Sequence, residues 1–166
     1  AVLLENYGLS PVIVIPLMLL MGTLLGATMG AIIHFFKVQP FIVTLAGMFF
    51  ARGMCFFISL DAVPIKHPFY RAIALYRIPV PFVEKAFINI SVVIALTVLV
   101  VGMYIAHLTR YGRSIYAIGG SEQSSLLMGL PVGRLKVSVY ALNGFCSALA
   151  GIVFSISLLS GYGLYA

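Results

Sequence analysis

Along the chain, long apolar runs alternate with two polar intervals. Pro11 to Phe36 contains no Asp, Glu, Lys or Arg, Phe41 to Leu60 is broken once by Arg52, and Phe87 to Ala106 and Val137 to Ser160 are again uncharged. Each run is long enough to cross roughly 30 Å of hydrocarbon as a helix. None shows the two-residue alternation of a membrane barrel strand. The pattern predicts an all-α polytopic bundle with four spanning helices. Pro16 falls near the start of the first span, where a proline is tolerated. Lys37-Val38-Gln39-Pro40 is too short for anything but a tight hairpin between the first two spans.

The intervals differ in kind. Residues 61–86 hold Pro64, Pro68, Pro79 and Pro81 and read as a loop. Residues 107–136 contain "YAIGGSEQSSLLMGLPVGRLK" (116–136), a short helix with both ends marked. Gly119 and Gly120 lead in, Ser121 can cap the first free N–H groups, and Glu122 sits where the helix dipole favours an acid. Gln123, Ser124, Ser125, Leu126, Leu127 and Met128 complete it. Gly129 can take the left-handed position that ends a helix, and Pro131 forbids resumption. A helix from Glu122 to Met128 is too short to be stable on propensity alone. It therefore requires a surface to pack on. Leu126, Leu127, Met128 and Leu130 can meet a partner's groove or lie on the lipid. Since the spans alternate direction, the two intervals fall on opposite sides of the membrane.

Composition agrees. Of 166 residues, 62% are hydrophobic and 8% charged, against about 25% charged in soluble domains; mean hydropathy is +1.13. The net charge of +6 is thus a matter of topology and docking rather than of nucleic acid. Positive-inside counting does not choose a side: Lys37, Arg110, Arg113, Arg134 and Lys136 oppose Lys66, Arg71, Arg77 and Lys85. Cys55 and Cys146 sit in apolar runs without metal-ligand spacing and read as small buried hydrophobes. A start at Ala1 without a signal peptide, and an end at Tyr165-Ala166 without a polar tail, suggest part of a longer protein.

Within the spans, Gly22, Gly26 and Gly30 recur every four residues, and the fourth span carries Gly144, Ala148 and Gly151. Small residues at this spacing let helices approach closely in lipid. Arg52 either touches a solute route or ties carbonyls of a broken helix beside Gly53, the second being the simpler reading; Asn143 needs a partner or a wet cavity. The acids Glu5, Asp61, Glu84 and Glu122 all lie outside the spans, which argues against a proton- or sodium-coupled carrier. There is no HExxH, Gly-x-Ser-x-Gly or Walker signature, so neither catalysis, metal binding nor ATP hydrolysis is expected of this chain.

"QPFIVTLAGMFFARGM" (39–54), "TRYGRSIYAIGGSEQSSLLMGL" (109–130) and "VYALNGFCSALAGIVFS" (139–155) resemble the permease subunits of bacterial sugar ABC importers of the ribose/xylose/galactose branch. "TLAGMFFARG", "VPIKHPFY" and "AGIVFSISLLSGYGL" are most similar to the galactofuranose-type permease. The resemblance implies a permease of about ten spans, helices being what satisfies the backbone in lipid, with this chain roughly its middle half. It implies a multi-pass location in the inner membrane. The implied partners are a second permease subunit (identical or not), a cytoplasmic ABC ATPase that holds the ATP and Mg, and a periplasmic sugar-binding protein. By position, Gly119 to Gly129 would be the coupling helix that docks into the ATPase. Ser121 stands where Asn is common and Ser124-Ser125 where alanines are common, without disturbing the caps. Residues 107–136 would then be cytoplasmic and 61–86 periplasmic, with Lys66, Arg71, Arg77 and Lys85 facing an acidic rim on the binding protein. The family's early "DLSVG" and later "ELDAIA" blocks are not in this sequence, which leaves Thr44, Arg52 and Asn143 as pathway candidates. A channel or secondary carrier not driven by ATP is the alternative.

Overall fold

A computed structural model describes residues 10–58, 63–65, 77–79 and 87–161, with Val2 and Gly8. Helix α1 spans Pro11–Phe36 and α2 spans Pro40–Ile58, followed by the short strands β1 (Val63–Pro64), β2 (Arg77–Pro79) and β3 (Phe87–Asn89). The chain continues through α3 (Ile90–Leu108), α4 (Arg110–Gly120), α5 (Glu122–Leu127), α6 (Val132–Leu158) and β4 (Ser160–Gly161). Helices α1, α2, α3 and α6 are long and apolar enough to cross a membrane. Pro11 starts α1 at a position where a missing N–H costs nothing. Lys37 ends it with φ 50°, a left-handed turn that reverses the chain into α2 within three residues.

Helices α1 and α6 form the antiparallel centre of the molecule. Their contact runs from Gly22 against Ala148 and Gly144, through Gly26 against Gly144 and Tyr140, to Gly30 against Tyr140 and Val137. A Cβ on Gly26 would overlap the Tyr140 carbonyl, and one on Gly144 would overlap that of Gly22. The backbones therefore touch where any side chain would hold them apart. Nearer the other end of α1, Val14 and Met18 pack with Ile152, Ile156 and Leu159. Ile65, 3% exposed, closes this cluster. Its N–H donates to the Leu159 carbonyl (2.8 Å), and β1 pairs antiparallel with β4 (Val63 with Gly161, Pro64 with Ser160). A strap from beyond α2 thus covers one end of the α1–α6 pair. A second ladder, β2 with β3, joins Arg77 to Asn89 and leads into α3.

Several bounds differ from the hydropathy reading. Phe87–Asn89 is strand, so the third span starts at Ile90. Apolar residues in a row do not distinguish a buried strand from a helix start. Helix α6 starts at Val132, five residues before its apolar run, because Arg134 and Lys136 extend the same helix beyond the hydrocarbon. The interval before it is not a loop around one lone helix: α4 occupies Arg110–Gly120. Large apolar side chains remain exposed on every span, among them Phe49 and Phe50 on α2 and Leu96 and Val100 on α3. Such surfaces suit lipid or further helices.

Candidate functional site

The site is built at the end of the bundle where α1 turns into α2 and α3 into α4. Thr109, a single extended residue, separates α3 from α4; its hydroxyl accepts from the Gly112 N–H (3.1 Å) and donates back to the Ile105 carbonyl. Gly112 is required there, since a Cβ would overlap the Ala106 carbonyl. Helix α4 packs on α6 through the Tyr111 hydroxyl, which donates to Ser138 Oγ (2.7 Å), itself donating to the Leu135 carbonyl (2.9 Å). Ile115 and Ile118 of α4 line an apolar cavity of about 200 Å³ with Ile33, Leu135, Val139 and Tyr140. At this end the His34 ring lies over Gly133, where a Cβ would collide with it.

Helix α5 follows after one extended residue. Ser121 Oγ accepts from the Ser124 N–H (3.2 Å) and satisfies one of the donors a helix start leaves free. At the other end Gly129 adopts φ +77°, and the Leu130 N–H reaches back to the Ser125 carbonyl (3.1 Å), the bond that closes a left-handed helix end. Ser125 is 0% exposed, its hydroxyl donating to the Ser121 carbonyl (2.9 Å). Glu122 accepts from Lys136 Nζ through both carboxylate oxygens at 2.7 Å, tying the start of α5 to α6. With Lys136 26% and Glu122 47% exposed, solvent screening leaves the pair worth at most about 1 kcal/mol. Its effect is to orient α5. Leu127, 90% exposed, projects outward with Leu126 and Met128, while Leu130 is half-buried. Helix α5 is thus a short helix braced to α6, with an apolar tip turned outward.

The sequence candidates divide. Ser121, Glu122, Gln123, Ser124, Ser125, Leu126 and Leu127 lie in α5 or its cap, and Met128 and Gly129 in its exit. Gly119 and Gly120 are not a lead-in loop; they are the last residues of α4, and the break is Ser121 alone. Thr44 and Arg52 share α2, Asn143 lies on α6, and all three are exposed on this chain. Thr44 bonds its own helix, donating to the Pro40 (3.0 Å) and Phe41 (3.1 Å) carbonyls. None of the three lines either of two cavities in the molecule, the one above and an apolar groove of about 500 Å³ between α3 and α6. Arg77 lies in β2, opposite Asn89; Lys66, Arg71 and Lys85 lie outside the described residues. Gly22, Gly26, Gly30, Gly144 and Ala148 meet at the α1–α6 crossing, whereas a Cβ on Gly151 would touch nothing. The sequence reading missed α4 and the Glu122–Lys136 pair. The signal for α4 was present: Tyr111, Ile115 and Ile118 recur at helical spacing, with Arg110 and Arg113 on the other face.

Residues 1–162 match the family model described as branched-chain amino acid transport system / permease component. Among curated relatives, the inner membrane ABC transporter permease protein YjfF of Escherichia coli is 40% identical over 99% of this chain and 49% of its own length. The fructose import permease protein FruG of Bifidobacterium longum is 41% identical over 93% of this chain and 47% of its own length. For the ribose import permease protein RbsC of Haemophilus influenzae the identity is 40%, over 89% and 45%. The chain thus spans about half the length of these relatives. No solved structure matches it. With four membrane-length apolar helices and a family match over nearly its whole length, the chain belongs to the branched-chain amino acid transport system / permease component family, as a multi-pass protein of the inner membrane.

Proposed function

We propose that this chain forms the central part of the permease of an ATP-driven importer that carries a monosaccharide across the inner membrane. The observation that carries the reading is α5: six residues, capped at both ends, bridged to α6, with Leu126, Leu127 and Met128 turned outward. Energy released by a separate ATPase would enter through this tip and reach α6 through the Glu122–Lys136 pair and α3 through α4. The sugar class is supported by the relatives' names, which specify import of fructose and ribose. Those relatives are 41% and 40% identical over 93% and 89% of this chain, and their names, rather than the wording of the family description, suggest a sugar. Within the class, a furanose of the galactofuranose type is the first substrate to try, from the likeness of residues 44–53 and 150–164. The partners would be the ATPase, a second permease subunit and a sugar-binding protein outside, with α5 on the cytoplasmic side and residues 61–86 on the other.

The test is transport by the full-length protein reconstituted with its ATPase and binding protein, comparing wild type with Leu127→Glu. The variant retains its place in the membrane but loses ATP hydrolysis stimulated by the binding protein, by tenfold or more on the order expected when a central apolar contact of an interface is replaced by charge. Uptake that continues without ATP, or is untouched by the substitution, sinks the reading in favour of a channel or secondary carrier.

A further inference from the structure

The corner between α3 and α4 is built for the surface of a bilayer. The 19 residues of α3 rise about 28 Å at 1.5 Å each, close to the roughly 30 Å of a hydrocarbon core. As a membrane span, α3 would put Thr109 at headgroup depth. The chain turns there, because Thr109 is extended and Gly112 lets α4 press on the last turn of α3. Helix α4 then has two faces. Tyr111, Ile115 and Ile118 look towards α6 and the cavity. Arg110, Arg113 and Tyr116, three residues apart in turn, occupy the opposite face, and all are exposed.

The ring of Tyr116 lies 6.1 Å from that of His107, which sets this basic face beside the end of α3, where Tyr104 and Leu108 are also exposed. No Asp or Glu occurs between Phe87 and Ser121, and the next acid, Glu122, is bound to Lys136. Two guanidinium groups at headgroup depth, flanked by tyrosines and an apolar wall, complement a lipid phosphate with its acyl chains below. Arginine grips phosphate through paired N–H donors, its stem can run along the apolar surface, and tyrosine favours this depth.

We propose that this corner binds the headgroup phosphate of an anionic phospholipid, held by Arg110 and Arg113 with Tyr104 and Tyr116 beside its chains. The proposal needs only the span and the corner, so it stands or falls independently of the importer reading. The experiment uses the full-length protein in vesicles of phosphatidylethanolamine and phosphatidylglycerol, with a trace of photoactivatable phosphatidylglycerol and mass-spectrometric mapping of adducts. A parallel arm uses the same probe built on phosphatidylcholine.

Adducts of the anionic probe concentrate on residues 104–116, exceed those of the zwitterionic probe, and persist in millimolar inorganic phosphate. Arg110→Gln with Arg113→Gln lowers them by roughly thirtyfold, about fivefold for each surface arginine. The double lysine variant keeps most of the yield, and Arg134→Gln, on α6, leaves it unchanged. Equal labelling by both probes overturns the proposal, as does indifference to the double glutamine variant. Displacement by inorganic phosphate overturns it in favour of a soluble-anion site, and loss of adducts only when the ATPase binds makes the arginines a protein contact. Should the glutamine variant fail to fold, the wild-type comparison of the two probes still decides.

Discussion

Gly26 and Gly144 show how much a missing methyl group can control. Each stands where the opposing helix places a backbone carbonyl, so an added side chain must push α1 and α6 apart. Gly26→Val or Gly144→Val is expected to cost about 1–3 kcal/mol or more, as overpacking does, and to lower the melting temperature of the full-length protein in detergent. Gly151→Ala should leave it within about 0.5 kcal/mol of wild type, because nothing lies within reach of its Cβ. A fall for Gly151→Ala equal to that for Gly144→Val would contradict a contact that includes Gly144 and leaves out Gly151. The four-residue spacing made the stripe visible in sequence, but not its extent. Beyond Ala148 the glycine contact gives way to larger side chains, Ile152 and Ile156 clustering with Met18 and Val14.

At the scale of elements, α5 persists through its caps and its brace rather than its length. Ser121→Ala removes the acceptor for the Ser124 N–H and should cost about 1 kcal/mol of local stability. Hydrogen exchange of the amides between Gln123 and Met128 should then quicken by about fivefold, with the spans unaffected. Exchange that is unchanged would mean that the turn at Gly129 and the Glu122–Lys136 pair order the helix without the Ser121 cap. Exchanging that pair, Glu122→Lys with Lys136→Glu, should restore most of the protection lost in either single variant, because the two side chains meet without a third charged partner among the described residues. The caps were legible because Ser, Gly and Pro act locally. The brace was not, since fourteen residues separate its partners and only the turn at Gly129 and Pro131 brings them together. Helix α4 was hidden for another reason: its apolar positions Tyr111, Ile115 and Ile118 are few and interleaved with arginines, serine and glycines.

For the whole molecule, the place of α3 beside α6 has a direct test. The Ser91 hydroxyl donates to Ser157 Oγ at 3.0 Å, so cysteines at these positions, with Cys55 and Cys146 replaced, are within disulfide reach. They should cross-link on mild oxidation, and a pair that stays reduced would remove α3 from beside α6. Sidedness has its own test. Ser124→Cys in the full-length complex should react with an impermeant thiol reagent from the cytoplasmic side alone and be shielded when the ATPase binds; labelling from outside would invert the proposed topology.

Residue pattern alone was enough to find four runs long and apolar enough to cross a membrane as helices, a short capped helix between the third and fourth, and the family that the motifs resemble. These follow from burial in lipid and from backbone chemistry within a few residues, and neither needs distant partners. That α1 pairs with α6 rather than with its sequence neighbour could come from the fold alone, because the two glycine faces meet only when folding brings residues more than a hundred positions apart together. The same holds for the strap at Ile65, for the Glu122–Lys136 brace and for the basic corner at Arg110 and Arg113, whose parts acquire meaning from what the fold sets beside them.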